Sequence, residues 1–454
     1  MTTSVELAVR TPPDGADPTL ERGLALARRT RGLTLIAWPM PVAPASALLA
    51  RPDAAVAWSA RDRTLVGLGA AVELRGTGEA RWREVIDGAR AIAIGARLGA
   101  PEPAVRWLGG AAFVPGAADR APWTGFGDAW FVLPRWSYAH DGARAQLVLA
   151  IDAAAAEHAA RWRDGLAAIR VTLAAPAAPR PQPALRALDP GDTDAWRAQV
   201  RAVTDAIARG ACAKVVLARR ATVELASDVR AADVMAELDL RHADCVRALV
   251  RPPGAATLIA ATPERLVRLD GDRAWCDALA GSRACGDAGD AAALLASGKD
   301  RREHDLVVRA IVDALRAAGG DVVAPEAPAV RALRHVLHLH TPITATLPAR
   351  HHVLELAARL HPTPAVGGTP TAVATEWIGA HEPDPRGWYA APIGWFDLDG
   401  NGELAVAIRS GVIDGARAHL WAGAGIVAGS DPDRELAETE LKLRAMLGAL
   451  GIAR

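Results

Sequence analysis

Two acidic helix starts carry the spacing best suited to chemistry. In K-D-R-R-E-H, Asp300 and Glu303 are three apart; in D-R-E-L-A-E-T-E-L-K, Glu435 and Glu438 are again three apart, and Lys442 follows four after Glu438. Residues at these intervals share one helical face. Two such faces could jointly hold a hard divalent cation such as Mg²⁺, which takes few protein oxygens and keeps positions open for a substrate carboxylate or phosphate. Solvated faces with ordinary i,i+4 ion pairs have the same spacing, which leaves both readings open. The chain has three lysines, Lys214, Lys299 and Lys442, against forty-nine arginines. A compact ammonium that can lose its proton differs from an always-charged planar guanidinium, so a lysine kept in so Arg-rich a background is a candidate base or point charge. Chance placement is the other explanation.

The run Gly423-Ala-Gly425-Ile-Val-Ala-Gly429-Ser430 lies between a strand and a helix and invites a dinucleotide-binding reading. That reading needs a further parallel strand bearing an acidic residue, and the sequence ends at Arg454. The glycines instead let backbone amides approach an anion near the last helix's N-terminus. Six histidines lie between 335 and 361. In a strand, His338 and His340 share a face and His335 takes the other, a poor start for zinc, so one histidine bonding a substrate is the better expectation. His304, beside Glu303, is equally a structural candidate. No nucleophile elbow, P-loop or Cys/His protease signature is present.

The elements that must position these residues follow from periodicity. Asp192 or Thr193 caps a helix with Trp196, Val200, Val203 and Ile207 on one face, ended by Gly210. The strand after it, from Cys212 to Leu225, puts Lys214 on a mostly apolar face with Val216 and Ala218. Strands TLIAAT, ERLVRLD and RAWCDAL, a long helix from Lys299, two shorter helices, a hairpin through DGNG with ELAVAIRSGVI as its return strand, and a final strand and helix complete the pattern. The expected class is α+β, with large antiparallel β-sheets packed against helices. At 454 residues, two parts are expected: 1–175, an N-terminal α/β part that packs onto the rest, and 190–454, joined through the Pro-rich stretch at 175–191. Fifty-two acids against fifty-two bases argue against a charge-driven role with nucleic acid or membrane. Four cysteines without framework spacing point to buried, reduced thiols. No run approaches the ~20 apolar residues of a membrane span and the N-terminus has no leader-like pattern, so a cytoplasmic protein is expected.

Taken in order, K-V-V-L-A-R at 214–219, T-P-E-R at 262–265, L-A-G-S-R at 279–283, S-G-K-D-R-R-E-H at 297–304, H-L-H-T-P at 338–342, H-P-T-P-A-V-G-G at 361–368, A-I-R-S at 407–410 and the run from Gly423 to Lys442 resemble the chorismate-utilising enzymes. This family comprises isochorismate, salicylate, anthranilate and aminodeoxychorismate synthases. The resemblance covers roughly 190–450 and implies the chorismate-binding fold of anthranilate synthase component I, in a monomer that acts on chorismate with Mg²⁺. It places the metal on Glu303 and Glu438, with Asp300 and Glu435 in support. Tyr389 and Arg409 fall at positions that contact the enolpyruvyl carboxylate, Lys442 and the backbone at Gly281 and Gly423 at further anion contacts, with Ser282 beside them and His338 as the pocket histidine.

The same resemblance bears on the reaction. Lys214 matches the general base of members that use water, a role requiring a neutral amine and hence a lowered pKa. Glu264 matches the acid that protonates the departing C4 hydroxyl. Ala280 stands where many aminodeoxychorismate synthases carry a covalent lysine, and Ala365 matches isochorismate synthases, where lyase and amine-using relatives usually carry Thr. Ala278 and Thr262 depart from the usual Pro and Ser and bear on loop shape. The implied reaction is water attack at C2 with loss of the C4 hydroxyl, giving isochorismate for menaquinone or siderophore synthesis. Salicylate synthase, which adds pyruvate elimination, is the alternative; anthranilate and aminodeoxychorismate synthases fit less well.

Overall fold

The computed structural model describes residues 17–99, 104–175, 180–287 and 289–452. Its 21 strands join into one hydrogen-bonded network with eleven α-helices packed around it. Every pairing is antiparallel except that of Leu33–Met40 with Ile94–Gly99. The N-terminal part extends the network at two places: Ala54–Ala60 pairs with Val246–Val250, and Arg106–Ala111 pairs with Pro392–Asp397. One apolar core correspondingly draws on both parts, with Trp107 and Trp130 beside Trp388 and Phe396. Three of the cysteines are buried, whereas Cys285 is exposed, so its thiol departs from the expectation for all four.

Six elements position most of the candidate chemistry. The strand Lys214–Leu225 lies against Arg417–Ile426 in continuous register from Val215↔Ile426 to Glu224↔Arg417. The strand Arg273–Ala284 pairs with Val336–Thr346 and bulges between Ala280 and Ser282. Gly281, at φ +74°, supplies the left-handed conformation that this bulge needs.

The helix Gly298–Ala317 starts where Ser297 accepts from the Asp300 amide, and it buries His304, Val307, Ile311 and Leu315 at intervals of three and four. The last helix, Pro432–Ala449, is capped by Asp431 and has Pro432 in its first turn. Each cap contributes on the order of 1 kcal/mol and fixes where the acidic turn begins. The return strand of the DGNG hairpin is not continuous as expected. It breaks into Gly402–Val406 and Ser410–Asp414, because Arg409 adopts φ +50°.

Candidate active site

A cavity of about 560 Å³ opens where these elements converge. Glu264, Gly281, Ser282, Glu303, His338, Ala365, Tyr389, Arg409, Gly423, Glu438 and Lys442 all line it. Lys214, Asp300 and Glu435 are not among the lining residues; Lys214 reaches the lining through an ionic contact with Glu303.

Each of the three lysines meets one carboxylate of the acidic cluster. Lys214, fully buried, places Nζ 2.9 Å from Glu303 Oε1. That contact is ionic rather than an aligned hydrogen bond, since Nζ lacks a hydrogen-bond partner among the described residues. Lys442 Nζ lies 2.6 Å from Glu438 Oε1 and donates to the Gly423 carbonyl at 2.8 Å. Lys299, for which the sequence suggested no role, donates to Glu435 Oε1 at 2.6 Å.

Burial pushes the Asp300 carboxyl up, with the Glu303 and Glu438 charges adding to it against the Ser297 hydroxyl. Burial and the neighbouring Glu438 likewise raise Glu435. Burial also opposes the charge of Glu438, but Lys442, Lys299 and the Ser282 hydroxyl more than offset it and hold this carboxyl low. Two facing helix starts thus hold four mutually repelling carboxylates, all hard oxygen donors. Among the described residues no group of three or more ligands forms a closed metal cage. A Mg²⁺ ion, which keeps several waters and needs only one or two protein carboxylates, fits such a donor set.

Gly425 makes the Lys214–Glu303 contact possible. A Cβ there would lie 2.3 Å from Glu303 Oε1 and 2.9 Å from Lys214 Cε. A Cβ at Gly423 would meet the Leu217 carbonyl at 2.8 Å and the Tyr389 hydroxyl at 3.1 Å. Beyond Trp421 no second strand among the described residues flanks this segment, and Gly423 and Gly425 line the cavity.

The cationic wall is a hydrogen-bonded relay. Arg409 donates through Nη2 to His338 Nε2 at 3.0 Å, so that nitrogen is an acceptor and Nδ1 carries the proton. Nδ1–H then faces the Gly281 carbonyl at 3.2 Å and the Ser282 hydroxyl at 3.1 Å. Burial, reinforced by Arg409, holds His338 well below the ordinary imidazole range, in keeping with a neutral ring. His340 instead bonds Asp277 at 2.9 Å, and His304 bonds Thr341 at 2.8 Å, away from the cavity. His335 precedes the strand.

Glu264 is 4% exposed, and burial drives its carboxyl up to about 7, with Asp277 adding to the shift and the Arg409, Lys214 and Lys442 cations opposing it. Tyr389 stacks on Trp421 at 6.3 Å, and burial raises its phenol to about 12, keeping it a hydrogen-bond donor. Ala390 and Arg409 are the two non-glycine residues at positive φ among those described; Ala390 N–H donates to the Ala407 carbonyl, two residues before Arg409. Such conformations cost on the order of 1–3 kcal/mol each and persist where surrounding structure enforces them.

The sequence reading missed Arg386 and Glu382. Arg386 lines the cavity, donates to the Val366 and Val216 carbonyls at 2.7 Å each, and pairs with Glu382, whose other contact is the Ala218 amide at 2.8 Å. This buried pair ties the Ala365 loop to the Lys214 strand. Its only signal was two opposite charges four apart in E-P-D-P-R.

A family model described as "Chorismate binding enzyme" matches residues 40–451. The Pseudomonas aeruginosa protein named "Salicylate biosynthesis isochorismate synthase" is 38% identical over 403 residues, spanning 87% of this chain and 84% of that one. "Isochorismate synthase MenF" of Bacillus subtilis is 39% identical over 276 residues, 60% of this chain and 58% of its own length. Among solved structures, MenF, the menaquinone-specific isochorismate synthase from Escherichia coli, superposes with a TM-score of 0.77 at 28% identity, covering 95% of this chain and 100% of that one. Anthranilate synthase component I from Streptococcus pneumoniae shares the fold, with a TM-score of 0.67 at 19% identity over 85% of this chain and 92% of that one.

Proposed function

The chain belongs to the chorismate binding enzyme family, and from that premise we propose how its pocket turns chorismate into isochorismate. The activity is that of an isochorismate synthase, an isomerase of the hydroxymutase type. Water adds at C2 of the ring, the double bonds shift, and the C4 hydroxyl leaves as water. Atoms and charge balance when one group takes a proton from the attacking water and another gives a proton to the leaving oxygen.

Glu264 is the donor. Its carboxyl is a buried acid in the cavity wall, and that placement is the observation carrying this reading; burial raises it to about 7, where it can hold a proton near neutral pH. Lys214 is the acceptor: it is the buried amine within 2.9 Å of the acidic cluster, on the strand forming the pocket's other wall. Arg409, Tyr389 and Lys442 bind and orient the substrate's carboxylates, and Arg409 also keeps His338 in one tautomer. Glu303 and Glu438 would hold Mg²⁺, with Asp300 and Glu435 in support. Bound there, the ion would neutralise the ring carboxylate and fix the ring's orientation. Ala365 leaves the wall beside Val366 small and without a hydroxyl.

Similar proteins are named for salicylate biosynthesis and as menaquinone-specific, and salicylate synthase, with added pyruvate elimination, is the second reading. No helix among the described residues is long and apolar enough to cross a membrane, and we propose a cytoplasmic monomer. Lys214→Arg tests the base. It should abolish chorismate turnover while circular dichroism stays unchanged; turnover above a tenth of the parent's would remove Lys214 from this role.

A further inference from the structure

A second cavity, of about 480 Å³, shares no lining residue with the first. Its walls include Ala195, Trp196, Ala218, Arg219, Arg220 and Trp421. Its carboxylates are all engaged: Asp192 caps the helix Thr193–Ala208, Glu382 holds Arg386 and the Ala218 amide, and Asp384 pairs with Arg220 at 2.9 Å.

The donors are not. Arg219, 8% exposed, gives Nε to Thr439 at 2.7 Å and Nη1 to the Pro190 carbonyl, but its Nη2 is buried without a partner among the described residues. The indole N–H groups of Trp196 and Trp421, 2% and 3% exposed, are likewise unpartnered. Buried donors without acceptors cost about 1–3 kcal/mol each, and a ligand bringing oxygen acceptors recovers that. A guanidinium, two indoles and the N-terminus of a sixteen-residue helix favour an anionic, flat, apolar-bodied ligand.

We propose that this cavity is an effector site for a planar aromatic carboxylate, with the carboxylate bonded by Arg219 and the ring set between Trp196 and Trp421. Two contacts connect it to the substrate pocket. Glu382 lines the effector cavity, and its partner Arg386 lines the substrate cavity. Trp421 stacks on Tyr389, which lines the substrate cavity. An occupant pressing on Trp421 or on the Ala218–Glu382 junction therefore acts on groups that shape the chorismate pocket.

Isothermal titration of the full chain with salicylate, and with cyclohexanecarboxylate as the saturated-ring control, tests the site without chorismate present. Its failure is thereby separate from any failure of the assigned reaction. Salicylate is expected to bind saturably at one site, at least fivefold tighter than the control. Arg219→Gln and Ala195→Phe should each weaken it at least tenfold. Because Arg219 also holds the C-terminal helix through Thr439, the cavity-filling Ala195→Phe is decisive. Salicylate should alter the chorismate kinetics of the parent and leave those of Ala195→Phe unaltered. Absence of saturable binding to 10 mM, unchanged binding in Ala195→Phe, or binding that leaves the parent's kinetics untouched would overturn the proposal.

Discussion

Replacing Glu264 with Gln separates the stability and the catalytic consequences of one buried carboxyl. The folded protein holds this proton up to about pH 7, whereas the unfolded chain releases it near the ordinary 4.5. The group's contribution to stability is therefore fully present below pH 4.5 and is lost as pH rises through 7. At about 1.4 kcal/mol for each pH unit between the two values, the parent loses about 3 kcal/mol over that interval. A glutamine of similar shape, neutral at every pH, loses none of it. Urea unfolding of both proteins at pH 5, 6, 7 and 8 should show curves that diverge with pH until the variant has gained about 2.5 kcal/mol relative to its offset at pH 5. The same substitution should lower kcat by roughly 10²–10⁴-fold, the usual contribution of a general acid. In the parent, kcat/KM should fall above pH 7 as the acid loses its proton. Stability curves that stay parallel from pH 5 to 8, or a variant retaining a tenth of parental turnover, would refute the reasoning.

Other consequences are equally open to measurement. Gly425→Ala drives a methyl to 2.3 Å from Glu303 Oε1, so it should lower turnover at least tenfold and weaken calorimetric Mg²⁺ binding while leaving far-UV circular dichroism unchanged. Glu303→Gln and Glu438→Gln should each weaken Mg²⁺ binding by an order of magnitude or more, and Glu440→Gln, outside the cavity lining, should not. Glu382→Gln leaves the buried Arg386 guanidinium without its counter-charge and should cost about 3–5 kcal/mol in urea unfolding.

Much of the site was legible because its residues sit in local patterns. The acid pairs three apart needed only helical periodicity, and the caps at Ser297 and Asp431 put those pairs in the first turns. Lys214 was legible as a lysine on an apolar strand face, and its burial among carboxylates follows from the neighbouring strand and helix. Tertiary contacts were not legible in this way. That Lys299 meets Glu435, 136 positions away, depends on how two helices dock. The glycines of the 423–429 run read as backbone anion contacts, whereas the absent Cβ of Gly425 chiefly makes room for the Lys214–Glu303 contact. The return strand of the hairpin read as unbroken because Ala-Ile-Arg-Ser contains no glycine or proline to mark a break. Arg409 is held at positive φ by its surroundings, with its carbonyl accepting from the Ala261 amide at 3.0 Å.

The most direct test of the account is incubation of the protein with chorismate and Mg²⁺ in ¹⁸O-labelled water, followed by mass analysis of the separated products. Water attack at C2 predicts isochorismate with one labelled oxygen on C2 and no salicylate or pyruvate at early times. Unlabelled isochorismate would contradict the roles of Lys214 and Glu264, and salicylate with pyruvate as the first products would contradict the assigned reaction.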